Sequence, residues 1–161
     1  MTGAPPPVPG ISAEEAERLL GAAGAMAVRA YAPYSGLRPR ILPAGAVGLH
    51  PQRGLIGAAL LSGTGAVYGG CNVENASLGL TMCAERNALA AAVAAEGADR
   101  LAVRAVAVRT GDLAACPPCG ACRQVLAELA PGTVVAFETG EGPAARTVAE
   151  LLPDRFSLPS G

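Results

Sequence analysis

The feature that most constrains this chain is a set of three cysteines in two short motifs, the first of which also carries a carboxylate. Glu85 follows Cys83 by two residues, and Cys119 and Cys122 are three apart. Thiolates bind one zinc ion only when the fold brings them to a common point. Structural zinc sites usually have four protein ligands, whereas catalytic sites leave a position for water. Three cysteines beside a glutamate therefore favour a catalytic zinc site, in which Glu85 handles the water.

Both motifs are predicted to lie at the start of helices. An alanine-rich helical pattern runs from Thr81 to about Glu96, and a second helix opens at the segment 119–122. Residues three apart share a helix face, and helix N-termini favour thiolates. Three thiolates on Zn²⁺ leave a net charge of about −1. We expect Arg86 and Arg123, each directly after a site residue, to donate to the sulfurs from the second shell of the site.

A closed four-cysteine site is the alternative, because Cys116 and Cys119 have the spacing of a further ligand pair. Such a site would be structural, and the same pair could also act as redox thiols. Two prolines fill the spacer, and their fixed backbone angles make simultaneous ligation by Cys116 strained. A closed site also has no use for Glu85 at its position. These two observations favour the three-cysteine site.

The composition narrows the class of protein. The chain has 161 residues, of which 51% are hydrophobic and 16% charged, with a formal net charge of −1. This predicts one compact domain. The charge and the five aromatic residues argue against nucleic-acid binding. No apolar run is long enough to cross a membrane. The odd number of cysteines and the lack of a signal-peptide pattern predict reduced thiols in the cytoplasm.

The order of elements predicts a three-layer α/β/α sandwich around a five-stranded mixed sheet. Residues 1–10 are expected to be a flexible proline-rich tail, and 11–161 a single domain with an inserted loop at about 36–56. A capping box begins a helix over 13–30. A hairpin is followed by strands interleaved with helices, which gives the sandwich. The predicted strands are 57–62, 66–71, 102–109, 133–138 and 144–148, and a short helical turn is expected at 149–152.

The two cysteine motifs resemble those of the zinc-dependent cytidine deaminases, specifically the small homotetrameric type with three cysteine ligands. The broader signature is Cys or His-x-Glu followed by Pro-Cys-x-x-Cys, with the glutamate as general acid and base. Further blocks resemble the family in the same order, and the resemblance covers about residues 12–157. These blocks are 30–35, 57–60, 70–76 and 150–153 followed by Phe156.

The resemblance implies hydrolytic deamination of cytidine and deoxycytidine to uridine and deoxyuridine in pyrimidine salvage, by zinc-activated water. It implies a homotetramer that acts on a small nucleoside in the cytoplasm. Its residue roles follow: Cys83, Cys119 and Cys122 hold Zn²⁺, Glu85 transfers protons, Asn72 and Glu74 bind the ribose hydroxyls, Ala84 contacts the substrate, and Phe156 packs on the base from a neighbouring subunit.

Two departures from the family concern the base pocket. Only a few residues, including a phenylalanine, usually lie between the Tyr-Ser pair and the Gly-Ala-Ala-Leu block, whereas here residues 36–56 intervene without an aromatic residue. Leu78 replaces a usual tyrosine. Both losses predict a wider or differently shaped pocket. The alternatives are therefore a deaminase of a modified cytosine nucleoside or cytosine-containing antibiotic, and a non-catalytic module that zinc stabilises.

Overall fold

A five-stranded mixed sheet lies at the centre of the fold in the computed structural model, which describes residues 7–35, 40–41, 47–48 and 54–158. The strand order is β4-β3-β5-β6-β7; β5 and β6 are parallel, and the other neighbours are antiparallel. This confirms the predicted sheet. A separate antiparallel pair, β1 with β2, was not predicted. The strands are β1 (Arg40–Ile41), β2 (Val47–Gly48), β3 (Ile56–Ser62), β4 (Val67–Cys71), β5 (Val103–Thr110), β6 (Val134–Thr139) and β7 (Gly142–Thr147).

Helices cover both faces of the sheet, which confirms the three-layer sandwich. One face packs against α1, and the other packs against α2, α3 and α4. The helices are α1 (Ala13–Ala27), α2 (Ala84–Glu96), α3 (Gly120–Leu129) and α4 (Val148–Leu151), and a 3₁₀ turn spans Leu78–Leu80. None of the helices in the described ranges is both long and apolar enough to span a bilayer.

Strand β3 shows how the sequence divides the core between the two faces. Its side chains alternate, so Ala58 and Leu60 pack towards α2, whereas Ala59 and Leu61 pack towards α1. In the neighbouring strand β4, Gly70 lets α2 approach the sheet closely. A Cβ atom at Gly70 would lie 2.3 Å from the Ala88 nitrogen of α2. This contact fixes the start of α2, which carries Cys83 and Glu85.

The two segments expected to be irregular each contain some residues that the structure describes. In the predicted tail, Val8 is only 5% exposed and joins the core beneath α1; residues 1–6 lie outside the described part. In the predicted loop 36–56, β1 and β2 pair, and Ile56 already belongs to β3. The rest of that loop, up to residue 53, also lies outside the described residues.

Candidate active site

Three cysteine sulfurs meet where α2 and α3 begin. Cys83 is the N-cap of α2, Cys119 is the N-cap of α3, and Cys122 lies in the first turn of α3. Their Sγ atoms all lie within 4.8 Å of one another. The sulfur of Cys119 is 3.8 Å from that of Cys83 and 3.5 Å from that of Cys122. A tetrahedral ion with Zn–S bonds of about 2.3 Å needs sulfurs about 3.8 Å apart. The three thiols therefore fit zinc.

The thiols of Cys83 and Cys122 have pKa values shifted in opposite directions. The pKa of Cys83 is lowered to about 5, chiefly because the Cys122 thiol donates to it and also because Arg86 lies beside it. Donating that hydrogen raises the pKa of Cys122. The group thus holds a thiolate at Cys83 at neutral pH, and a metal that binds all three sulfurs must displace the remaining protons.

Glu85 lies in the first turn of α2 and lines the same cavity as Cys83 and Cys119. Glu85 is only 6% exposed. Burial raises the pKa of its carboxyl above the ordinary 4.5, and the negative charge of Cys83 acts in the same direction. A carboxylate with a raised pKa accepts and returns a proton more readily near neutral pH, which is what a general base that becomes a general acid must do.

A cavity of about 230 Å³ joins these groups to the polar residues predicted to bind substrate. Six of the predicted site residues line it: Asn72, Glu74, Cys83, Ala84, Glu85 and Cys119. Sequence reasoning missed other lining residues, which come from separate segments and lack a motif with a chemical signature: Ser35, Gly54, Ile56, Thr81 and Pro117.

The side chains of Asn72 and Glu74 are held by backbone groups at the cavity. Asn72 Oδ1 accepts from the Ile56 amide at 2.8 Å, and its Nδ2 donates to the Gly54 carbonyl at 2.7 Å. The Glu74 carboxylate accepts from the amides of Tyr34 and Ser35 at 2.8 and 3.0 Å. These contacts hold two polar side chains rigidly beside the metal group.

Comparison with known proteins identifies the family. The model of the cytidine and deoxycytidylate deaminase zinc-binding region matches residues 42–138. A cytidine deaminase of Halalkalibacterium halodurans is 51% identical over 63% of this chain and 76% of its own length. That of Mycobacterium tuberculosis is 39% identical over 87% of this chain and 88% of its own length. The chain belongs to the zinc-dependent cytidine deaminase family.

Solved structures of family members share the fold. The crystal structure of cytidine deaminase from Mycobacterium tuberculosis has a TM-score of 0.66 and 36% identity, covering 88% of this chain and 97% of its own. The enzyme from Burkholderia pseudomallei has a TM-score of 0.66 and 38% identity, covering 87% and 98%. The zinc-binding region that defines the family includes all three cysteines, so zinc is the metal that the group fits.

Cys116 is separate from the metal group of this deaminase. It lines the cavity, but within the described ranges the cluster able to hold a metal contains only the other three cysteines. The Cys116 amide donates to the Glu138 carbonyl, which ties its backbone to β6. Burial raises the pKa of its thiol to about 11, so it remains protonated. The geometry thus favours the three-cysteine site over the closed four-cysteine alternative.

The two arginines predicted to donate to sulfur differ. Arg86 Nη2 lies 3.7 Å from the Cys83 sulfur and also donates to the Thr81 carbonyl at 3.0 Å. Arg123 instead donates to the carbonyls of Pro118 and Leu151 at 2.8 and 3.2 Å. It connects the backbone before Cys119 to α4 rather than contacting a sulfur, because these two carbonyls take its donors.

Phe156, expected to pack on the base, and Leu78, at the position of the family's usual tyrosine, do not line the cavity. Phe156 is 69% exposed, and its carbonyl accepts from Gln124 Nε2 of α3 at 2.8 Å. It is therefore not a core phenylalanine. Leu78 is also exposed, in the 3₁₀ turn. No aromatic side chain lies among the described residues that line the cavity.

Proposed function

We propose that this protein catalyses the hydrolytic deamination of cytidine and deoxycytidine to uridine and deoxyuridine, with release of ammonia. The observation that carries the proposal is the placement of a buried glutamate, Glu85, in one cavity with the zinc-binding cysteines. Relatives that bear the name cytidine deaminase cover most of the chain. A purely structural zinc site would not need a buried acid with a raised pKa beside a substrate-sized cavity.

In this reaction Cys83, Cys119 and Cys122 hold the ion, and Glu85 transfers protons. Zinc, when bound, lowers the pKa of a water molecule towards neutrality. Glu85 accepts a proton from the water that attacks C4 and delivers it to N3 of the base. Glu85 then takes the second proton from the hydroxyl now attached to C4 and supplies it to the amino group, which leaves as ammonia while the C4 carbonyl forms. Arg86 offsets part of the negative charge of the sulfurs through its contact with Cys83.

Substrate binding is proposed for Asn72, Glu74 and Ala84, which line the cavity. Asn72 and Glu74 hydrogen-bond the ribose hydroxyls, and buried polar groups of this kind discriminate against analogues that lack a partner. The described lining residues include two carboxylates and no arginine. A free nucleoside therefore suits the cavity better than a nucleotide, because the described lining residues offer its phosphate no cationic partner.

A second candidate substrate is a modified cytosine nucleoside or a cytosine-containing antibiotic. The absence of an aromatic ring from the described lining residues favours it, because a base substituent meets aliphatic and small side chains there. Kinetic comparison of such compounds with cytidine tests this candidate. A kcat/KM for cytidine that exceeds those of all substituted compounds would contradict it.

The deciding experiment compares wild-type protein with Glu85→Gln. Conversion of cytidine is followed by ultraviolet absorbance, and zinc per chain is measured on the same samples. We expect Glu85→Gln to retain zinc and to lose at least a thousandfold in kcat, because the amide cannot accept a proton. Glu128→Gln, an exposed glutamate of α3, is the matched control and should keep full activity. An active Glu85→Gln variant would contradict the mechanism.

The proposed assembly is a homotetramer, acting in the cytoplasm. Support comes from five exposed apolar side chains, here called the patch, three of which lie on paired segments beside the cavity residues Asn72 and Thr81. Grouped exposed apolar side chains usually mark contacts with other chains. Phe156 would then reach the base pocket of a neighbouring subunit from its exposed position. Sedimentation equilibrium measures the mass directly. The patch consists of Tyr31, Val73, Leu78, Leu80 and Met82, all of them exposed.

A further inference from the structure

Two separate segments meet at the edge of the cavity. The side chain of Ser35, beyond α1, lies against Gly54, which is two residues before the start of β3. A Cβ atom at Gly54 would lie 2.4 Å from the Ser35 Cβ, and Gly54 has a φ of +84°. Only glycine fits a position that is both this close and left-handed. This Ser35–Gly54 junction therefore depends on the absence of a side chain at residue 54.

Each side of the junction holds one of the two residues proposed to bind ribose. The Gly54 carbonyl and the Ile56 amide bind the side chain of Asn72. The other side holds Glu74 through three donors: the amides of Tyr34 and Ser35 and the hydroxyl of Ser35. Ser35, which lies outside the cysteine and glutamate motifs, thus directly contacts Glu74, a residue proposed to bind substrate.

The three donors are distributed so that the Ser35 hydroxyl has a distinct effect. Both amides donate to Glu74 Oε2, whereas the hydroxyl donates to Oε1. The two amides alone, both bound to Oε2, would let the carboxylate rotate about that oxygen. A third donor on the other oxygen fixes its plane. The Ser35 hydroxyl therefore contributes to the direction in which Glu74 can accept a hydrogen bond from a ligand.

We propose that Ser35 is a positioning residue for substrate recognition, which fixes the plane of the Glu74 carboxylate so that it accepts a hydrogen bond from one ribose hydroxyl. This inference rests on the proposed function, because it needs a nucleoside in the cavity. Ser35 acts through Glu74, and it takes no part in proton transfer. Its loss should weaken substrate binding and leave the chemical step unchanged.

The test is Ser35→Ala, with kcat and KM measured for cytidine, 2′-deoxycytidine and 3′-deoxycytidine. We expect KM for cytidine to rise on the order of tenfold with kcat within twofold, because one hydrogen bond to a charged group is lost while the two amides remain. With the analogue that lacks the hydroxyl bound by Glu74, the same substitution should change KM by less than about twofold.

The matched control is Ser62→Ala. Ser62 is a buried serine at the opposite end of β3 from the cavity, and its hydroxyl pairs with that of Thr64 at 2.7 Å. Its substitution also removes a buried hydroxyl, and we expect KM to stay within twofold of wild type. If Ser35→Ala folds poorly, Ser35→Cys supplies a similar volume with a weaker donor and should give a KM between wild type and the tenfold value. Thermal melting and zinc content are recorded for every variant.

The outcomes separate this inference from the proposed function. A wild-type protein that converts none of the three nucleosides contradicts the proposed function and this inference with it. An active wild type whose Ser35 variants keep the wild-type KM contradicts the inference alone. It is also overturned if Ser35→Ala lowers kcat at constant KM, or if KM rises equally for all three substrates, because fixing one hydroxyl contact predicts neither result.

Discussion

Cys116 and Cys119 have the same side chain three residues apart, but their surroundings give them opposite properties. Cys119 is exposed at the N-cap of α3, with its sulfur near two other thiols. Cys116 is partly buried, and burial raises the pKa of its thiol to about 11. Among the described residues, Cys119 belongs to the group of three cysteines whose sulfurs could hold one metal ion, and Cys116 does not. The local environment therefore assigns metal binding to one cysteine and packing to the other, although the CxxC spacing suggests a pair.

Substitution distinguishes the two cysteines. Cys116→Ala should leave one zinc per chain and cost about 1 kcal/mol of stability, since it removes one small partly buried group. Cys119→Ala should lower zinc content well below one per chain after dialysis. Elemental analysis of the purified variants measures both. Loss of zinc from Cys116→Ala would support the closed four-cysteine site instead.

At the scale of elements, α1 begins with a capping box whose glutamate, Glu15, also pairs with an arginine of β5. Ser12 accepts from the Glu15 amide, and the Glu15 carboxylate accepts from the Ser12 amide. Arg104 of β5 forms an ion pair with the same carboxylate at 2.5 Å. The Arg104 guanidinium is the main cause of a lowered Glu15 pKa. The start of α1 is thus tied to the sheet on which it packs.

Glu15→Gln should lower the melting temperature at neutral pH. A carboxyl whose pKa is lower in the folded than in the unfolded state stabilises the fold above the unfolded value of 4.5, and the stabilisation disappears as pH falls through the folded value. The difference in melting temperature from wild type should therefore shrink on acidification below about pH 4. Glu14→Gln removes an equal charge from the same exposed turn and controls for the helix dipole. A pH-independent difference would contradict the assignment.

The packing of α2 on β4 gives a second prediction at this scale. In Gly70→Ala, the new methyl group would lie 2.4 Å from the Ala84 carbonyl oxygen, which belongs to helix backbone and cannot rotate away. We expect a loss of about 2–3 kcal/mol in the free energy of unfolding, and lower activity because α2 carries Glu85. Gly21→Ala is the control: nothing lies within 4 Å of its Cβ position, and alanine favours helix. Denaturant melts of both variants measure the difference, and equal stabilities would rule out the close packing.

At the scale of the whole molecule, the hydrophobic patterns along the chain were enough to predict the main helices and strands. The apolar run of β3 and the spacing of alanines and leucines in α1 predicted a buried strand and an amphipathic helix, so the sheet and the three layers could be inferred locally. The cysteine motifs predicted the metal group because their chemistry is specific. The hold on Glu74 by Ser35 could not be inferred, because these residues are far apart in the chain. Nor could the burial of Val8, a single apolar residue without periodicity, or the direction of Arg123.

A bound zinc ion would connect the starts of α2 and α3. Cys83 belongs to α2, whereas Cys119 and Cys122 belong to α3, so a bound ion joins the starts of two helices that are separated in sequence by β5. A ligand that binds only the folded state stabilises it, by about 4 kcal/mol at a concentration a thousand times its dissociation constant. Removal of zinc should therefore weaken the fold as well as abolish activity.

Chelator treatment followed by dialysis should lower the melting temperature by several degrees, and equimolar Zn²⁺ should restore both the melting temperature and the turnover of cytidine. Cys116→Ala should show the same zinc-dependent shift as wild type, because its thiol lies outside the metal group. Cys122→Ala should show little shift, since its buried sulfur is one of the three ligands and two cysteines remain. If wild type and Cys122→Ala shift equally, zinc stabilises the protein from elsewhere in the chain, and the link between α2 and α3 is wrong.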